Sequence, residues 1–203
     1  MRTLTLASLL VLAACPHHAG PPGTNHGNDI ILSSAGIPSF ATEQHRCPTP
    51  AGEGEIKLTY DNGKTRIKGE CRGGLMVGRW KAWYTNGAKV WEASFKNGVL
   101  DGDFTSWHPN DQKQAELTYV EGLGTGKLKA WYYNGQKKME GDFIGGKKNG
   151  CWETWHENGQ KATKGTYSDD MQVETWLQWT ATGDKSKQHL GGNAQHGSCL
   201  ITL

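Results

Sequence analysis

Written in rows of twenty-four residues, the chain from Gly54 to His189 aligns without a gap over five rows. A fixed period of that length marks stacked supersecondary units rather than a globule built around one non-repeating core. Trp83, Trp107, Trp131, Trp155 and Trp179 share one column, with Thr59 at its head. The next column holds Tyr60, Tyr84, His108, Tyr132, His156 and Thr180. Three residues further stand Gly63, Gly87, Asp111, Gly135, Gly159 and Gly183, preceded in most rows by Asn62, Asn86, Asn110, Asn134 and Asn158. Gly54, Gly78, Gly102, Gly126 and Gly150 form a second glycine column, followed two places later by Ile56, Trp80, Phe104, Leu128 and Trp152; Trp176 continues it where Glu174 replaces the glycine. A last aromatic column contains Phe95, Tyr119, Phe143 and Tyr167, headed by Cys71.

One unit reads as two short strands and two turns. Asn-Gly tolerates positive φ at both central positions of a type I′ turn, so each Asn-Gly is expected to close a tight hairpin there. A second turn, around Gly74, Gly98, Gly122 and Gly146, is expected to be longer and to lead into the next hairpin. An isolated hairpin is marginal in water, so the rows must stack. The expected fold is all-β, an elongated single-layer antiparallel meander of hairpins over residues 54–189. Equivalent columns lie two strands apart, about 10 Å, and same-column aromatics are expected to form ladders through the intervening strand. Trp80 and Trp83 are an odd number of residues apart, which sends them to opposite faces of a regular strand. Composition agrees: hydrophobic residues are 35 % of the chain, with 28 glycines and nine tryptophans, and mean hydropathy is −0.66. These values exclude a polytopic membrane protein, a collagen-like chain and a disordered linker. The third row, at His108-Pro109-Asn110-Asp111, and the fifth, at Asp170 and Glu174, depart from the pattern and are expected to differ in turn shape.

The pattern resembles the MORN-variant repeat, a short bacterial relative of the MORN hairpin repeat. Trp83-Tyr84-Thr85-Asn86-Gly87, Trp131-Tyr132-Tyr133-Asn134-Gly135 with Glu140-Gly141-Asp142-Phe143, and Gly150-Cys151-Trp152 with Trp155-His156-Glu157-Asn158-Gly159 carry the resemblance. It implies a hairpin-repeat fold. For function it implies either a scaffolding or binding surface or an antitoxin-like protein of a toxin-antitoxin system.

Residues 1–14 have the order of an export signal: Arg2, an apolar run from Leu4 to Leu12, then Ala13-Ala14 before Cys15. The run is far short of the roughly 20 apolar residues that span a bilayer. Leu12-Ala13-Ala14-Cys15 resembles the bacterial lipobox, which implies cleavage before Cys15 and acylation, with chains such as palmitate, on its thiol and new amine. An ordinary secretory signal with Cys15 as an incidental thiol is the alternative. Several acyl chains anchor a protein stably, each buried methylene contributing about 0.8 kcal/mol. Pro16 in place of Asp after the anchor implies, by resemblance to the enterobacterial sorting rule, the outer membrane of a Gram-negative cell. Residues 15–53, rich in Pro, Gly, Ser, Thr, Asn and His, read as anchor and tether. His17, His18 and His26 there have no second shell to orient them for a metal.

No G-x-S-x-G, H-E-x-x-H, phosphate loop or dinucleotide fingerprint occurs, and no enzyme, metal or cofactor is expected. His108 and His156 stand in the tyrosine column and are read as hairpin residues. Glu92, Glu116 and Glu140 recur at one period and are expected about 10 Å apart, too far for a paired acid and base. Export makes disulfides possible for Cys47, Cys71, Cys151 and Cys199, Cys47 with Cys71 and Cys151 with Cys199 being the nearest pairing. The second bridge requires the tail to fold back. Lys89, Lys113, Lys137, Lys161 and Lys185 form a column that a continuous sheet turns into a cationic stripe about 40 Å long. Such a stripe either grips an anionic polymer or headgroup such as lipopolysaccharide, or keeps the sheet soluble in partnership with Glu and Asp. With 22 basic and 20 acidic residues the chain has no bulk field for nucleic acid. The reading that follows is a cell-envelope surface for a protein partner, or for glycan or anionic polymer. Residues 190–203, with Ser198 to Leu203 as a last strand, are expected to cap the array.

Overall fold

The computed structural model describes residues 44–48, 52–192 and 199. The lipobox with Cys15, most of the tether and, apart from Cys199, the last capping strand lie outside them. Twelve strands form one open sheet whose spatial order is the chain order, every neighbouring pair antiparallel. They are β1 Gly54–Thr59, β2 Thr65–Arg72, β3 Leu75–Trp83, β4 Lys89–Lys96, β5 Val99–Trp107, β6 Lys113–Val120, β7 Leu123–Trp131, β8 Lys137–Ile144, β9 Lys147–Trp155, β10 Lys161–Ser168, β11 Met171–Trp179 and β12 Lys185–His189. This is the expected meander of stacked hairpins.

The two turn types are exchanged relative to expectation. In the Asn-Gly loops only the glycine, or Asp111 in its place, has positive φ; Asn62, Asn86, Asn110, Asn134 and Asn158 do not. Gly87 N–H donates to the Tyr84 carbonyl at 2.9 Å, and Tyr84 N–H to the Ala88 carbonyl at 2.8 Å. This is a three-residue hairpin loop, a type I turn followed by one left-handed residue. The asparagine is held out of the left-handed region because its side chain is used elsewhere: Asn86 Oδ1 accepts the Ala88 N–H at 2.9 Å. The two-residue type I′ turns lie at the other end of the strands. Asn97 (φ 51) and Gly98 (φ 80) are both left-handed, as are Gly73 with Gly74, Glu121 with Gly122, Gly145 with Gly146, and Asp169 with Asp170. The departing rows keep their shape. Asp111 (φ 64), Asp170 (φ 69) and Glu174 (φ 62) adopt the conformation that glycine supplies elsewhere, at a strain of about 1 kcal/mol or more each.

A single layer normally leaves both faces wet, yet Trp80 is 0 % exposed. The cause is a wide bulge repeated in every row. Lys68 pairs with Lys81 and Glu70 with Val77, so Gly69 alone faces Gly78, Arg79 and Trp80. The two extra residues leave side-chain parity intact and let the indole lie flat across the neighbouring strand. A Cβ on Gly69 would stand 2.1 Å from Trp80 Cδ2, and the same holds for Gly141 under Trp152 and Gly165 under Trp176. Where the covering ring shrinks, the floor grows: Ala93 accompanies Phe104, and Leu117 accompanies Leu128. Trp80 Nε1 donates to the Glu70 and Val77 carbonyls at 3.0 and 3.1 Å. Met76, Leu100, Phe104, Leu117, Tyr119, Leu128, Trp152 and Trp176 complete this inner face. Its ring contacts alternate between two columns, as in Phe143–Trp152 (5.3 Å), Trp152–Tyr167 (5.7 Å) and Tyr167–Trp176 (5.1 Å). The expected same-column ladder is thus bridged by a second column, because rings two strands apart leave a gap that the intervening strand fills.

Two disulfides staple flanking chain onto the array, one at β2 and one at β9. Cys47 and Cys71 are joined, with Cα atoms 6.1 Å apart, and Cys151 and Cys199 are joined at 4.7 Å. Cys199 returns onto the outer face, on the side of Glu153 and Lys164, where its N–H donates to Thr166 Oγ1 at 3.1 Å. β12 is exposed along its whole length and carries Lys185 and Lys187, charges that discourage edge-to-edge pairing.

Candidate binding face

Trp80 and Trp83 do lie on opposite faces, and the outer face is where the repeat columns become a surface. Trp83, Trp107, Trp131, Trp155 and Trp179 are all partly exposed there, one per row. The lysine column arches over them. Lys89 Nζ stands 4.8 Å from the Trp107 ring centroid, Lys113 5.8 Å from Trp131, Lys137 5.2 Å from Trp155, Lys161 5.7 Å from Trp155 and Lys185 5.7 Å from Trp179. The face of an indole attracts a cation, by about 0.5–1 kcal/mol at exposed sites.

The same lysines pair with carboxylates. Lys113 Nζ lies 2.8 Å from Glu116, Lys137 2.9 Å from Glu140, Lys89 3.4 Å from Glu92 and Lys161 3.0 Å from Glu153. Each glutamate has further cationic neighbours: Arg79 and Lys81 at Glu92, Lys129 at Glu116, Lys127 at Glu140, Lys164 at Glu153. The face is therefore a lattice of alternating charge with basic residues in excess. A bare cationic stripe is not what the column builds.

Glu153 lies outside the recurring glutamate column, yet it sits directly across the strand pair from Glu140. Sequence columns miss this because it depends on which row pairs with which. Two carboxylates facing each other are the arrangement a general acid requires, but both are held below the usual carboxylate range. For Glu140 the Lys137 hydrogen bond is the main cause. For Glu153 burial pushes the carboxyl up, and the hydrogen bonds and positive charges of Lys161 and Lys164 together outweigh it. Both stay charged at neutral pH, so neither holds a proton to donate.

The loop end is occupied by structural ladders. Tyr84 Oη donates to the Trp107 carbonyl at 3.2 Å and Tyr132 Oη to the Trp155 carbonyl at 2.8 Å. His108 and His156 place Nε2 3.1 and 2.8 Å from the carbonyls of Trp131 and Trp179, the same position one row on. They stand in for tyrosine, as their column implied. Each loop asparagine also reaches the next row: Asn110 Nδ2 donates to the Tyr133 carbonyl and Asn134 Nδ2 to the Glu157 carbonyl, both at 2.8 Å. Among the described residues no group of three or more His, Cys, Asp or Glu side chains is placed to hold a metal.

Residues 100–121 and 148–169 match the MORN repeat variant family. Each matched segment is one strand, its three-residue loop and the next strand, so the family's unit coincides with the hairpin seen here. No curated protein matches the sequence significantly. Among solved structures the chain is similar to one described as "Crystal structure of GtfA/B complex bound to UDP and GlcNAc", with 7 % identity and a TM-score of 0.23. That likeness covers 75 % of this chain and 29 % of the other. MORN-like repeats in one open sheet make a repeat-based binding module.

Proposed function

We propose that the protein is a non-catalytic, lipid-anchored module of the cell envelope that presents its outer face to a protein partner. The observation that carries this reading is the row-by-row lattice of half-exposed indoles, lysines and glutamates on an open sheet. Aromatic residues in desolvatable positions surrounded by paired charges are the composition of protein interfaces, where rings supply affinity and charges supply register. An open sheet offers length and no enclosure, which suits a macromolecule better than a small substrate. The lipobox-like segment ending at Cys15 supports export and anchoring, and Pro16 supports the outer membrane.

The indole column also favours a second reading, in which glycan rings stack on the tryptophans at one ring per row. The lysine pairing described above weakens the anionic-polymer version of that reading. A photoreactive residue replacing Thr105, on the outer face between indoles, separates the readings in membranes containing the lipidated protein. Protein crosslinks that vanish in Trp107→Ala/Trp131→Ala support a protein partner. Co-sedimentation with purified peptidoglycan or lipopolysaccharide without protein crosslinks transfers the assignment to glycan. Retention of the protein in the membrane fraction after Cys15→Ser refutes the lipid anchor.

A further inference from the structure

The outer face changes character toward the end of the array. The column of Leu177 carries Lys57, Lys81, Thr105, Lys129 and Glu153 in the earlier rows, and the column of Cys151 carries Glu55, Arg79, Asp103 and Lys127. Pairing brings the exceptions together: Thr166 faces Cys151 on one side and Val173 on the other, while Lys164 faces Leu177. Cys151, Thr166, Val173 and Leu177 thus form a neutral patch on the strands that carry Trp155 and Trp179, in a face otherwise laced with charge.

The patch is closed. Thr166 is 0 %, Leu177 4 % and Val173 7 % exposed, whereas Lys81, Thr105 and Lys129 are half-buried and Thr118, two rows before Thr166, is exposed. The chain beyond β12 supplies contacts over it. Leu190 N–H donates to the Glu174 carbonyl at 2.7 Å, and a Cβ on Gly192 would stand 3.2 Å from Val173 Cγ1. Cys199 is bonded to Cys151, and its N–H donates to Thr166 Oγ1 at 3.1 Å. Thr166 Oγ1 in turn donates to Glu174 Oε2 at 3.0 Å, which leaves its lone pairs for Cys199. Thr118 is built in the same way, donating to Asp103 Oδ1 at 3.1 Å, yet it stays exposed. What distinguishes the later row is the sulfur bridge. One neutral hydrogen bond offsets little more than the ordering of the residue that makes it, so the covalent bond decides whether Cys199 keeps its seat.

We propose that Cys151–Cys199 is a redox latch on the outer face. Oxidised, it holds Cys199 on Thr166 and keeps the neutral patch closed. Reduction by a dithiol opens it. The reductant's thiolate attacks the sulfur of Cys151, the less buried of the pair; the S–S bond breaks, and Cys199 leaves as a thiolate that takes up a proton. The reductant's second thiol then displaces Cys151 and ends in the reductant's own disulfide, so two electrons and two protons pass to the protein. Release uncovers Val173, Leu177 and the Thr166 acceptor and lengthens the docking face by one row, a consequence that rests on the protein-partner reading above.

The test uses the full-length Cys47→Ser/Cys71→Ser protein in detergent, in which dithiothreitol acts on the latch alone. Cys151→Ser/Cys199→Ser in the otherwise native chain is a second, permanently open form. Hydroxyl-radical labelling of Val173 and Leu177 should rise at least about threefold in both open forms, and amide exchange at position 199 about tenfold, with buried Leu100 and Leu128 unchanged. Unchanged labelling of Val173 and Leu177 overturns the latch. So does a parallel rise at Leu128, because reduction then melts the array rather than opening one seat. For docking, a diazirine amino acid replaces Val173 in membranes containing the protein. Protein crosslinks from position 173 that appear only after reduction support the longer face. Protein crosslinks from the Thr105 site, with none from position 173 in the open form, overturn the extension while the protein-partner reading stands. Opening without protein crosslinks at either position removes that reading and leaves the latch.

Discussion

The individual side chain in this protein works mostly toward the next row. Asn134 shows this best, since its Oδ1 accepts the Gln136 N–H at 3.0 Å within its own loop while its Nδ2 reaches Glu157 in the following one. Substituting Ala removes both bonds and should cost about 1–2 kcal/mol, against about 1 kcal/mol for Tyr132→Phe, which loses one; urea denaturation of the two variants orders them. Charge is local in the same way. Glu140 and Glu153 have folded pKa values depressed below the ordinary 4.5. Depressed carboxyls contribute stability above the unfolded pKa and lose it as pH falls through the folded one. Thermal midpoints should therefore hold from neutrality to about pH 5 and decline below it, and Glu140→Gln should make that decline shallower. A midpoint profile whose acid limb is unchanged in this variant removes the pair from the account. The amount involved is about 0.5 kcal/mol, as for other largely solvated pairs. None of these inter-row partners was legible in the sequence, because a column states which residues are equivalent but not which of their atoms meet.

At the level of the element, strand number, order and parity were legible from the period alone, since a strict twenty-four with alternating burial admits little but stacked hairpins. Turn identity was not. Asn-Gly is a sound signal for a type I′ pair of central residues, but here the asparagine side chain serves its own loop and the next, and the left-handed pair moved to Asn97-Gly98 and its equivalents. The bulge was equally hidden, although its trace is present: the residue eleven places before each inner ring is small when the ring is large. Gly69 precedes Trp80, Ala93 precedes Phe104, Leu117 precedes Leu128, Gly141 precedes Trp152 and Gly165 precedes Trp176. This volume exchange makes a sharp prediction. Gly141→Ala places a methyl 2.1 Å from the Trp152 ring and should destabilise by about 1–3 kcal/mol through overpacking. Gly141→Ala combined with Trp152→Phe recreates the second row and should recover part of that loss, seen as a favourable coupling in a double-mutant cycle. Strict additivity of the two substitutions means that the floor and the ring do not share one space.

For the whole molecule, the decisive property is that, among the described residues, each strand pairs with its neighbours in the chain and the sheet stays open. Stability is then close to a sum over rows and their interfaces, with the stapled flanking segments acting as caps. Cys47–Cys71 fixes the first row and Cys151–Cys199 draws the tail onto the last ones, so the middle rows are the interchangeable ones. Removing residues 110–133 deletes one full period and joins Pro109 to Asn134, which rebuilds a loop of the same kind and leaves both staples in place. The shortened chain should fold cooperatively, with a smaller denaturant slope because less surface is exposed on unfolding. Removing residues 110–121 instead deletes half a period. It joins the loop end of β5 to the start of β7, and the following strand then runs in the direction that the lost one should have taken. Its three-residue loop is lost, its bulge no longer faces the glycine floor, and every later row is carried out of register with the first rows. That variant should lack the cooperative transition and the near-ultraviolet signal of packed indoles, while the full-period deletion retains both. Equal tolerance of the two deletions would mean that the rows do not stack as fixed-register units, and an outer face repeating indole and lysine row by row would lose its physical basis.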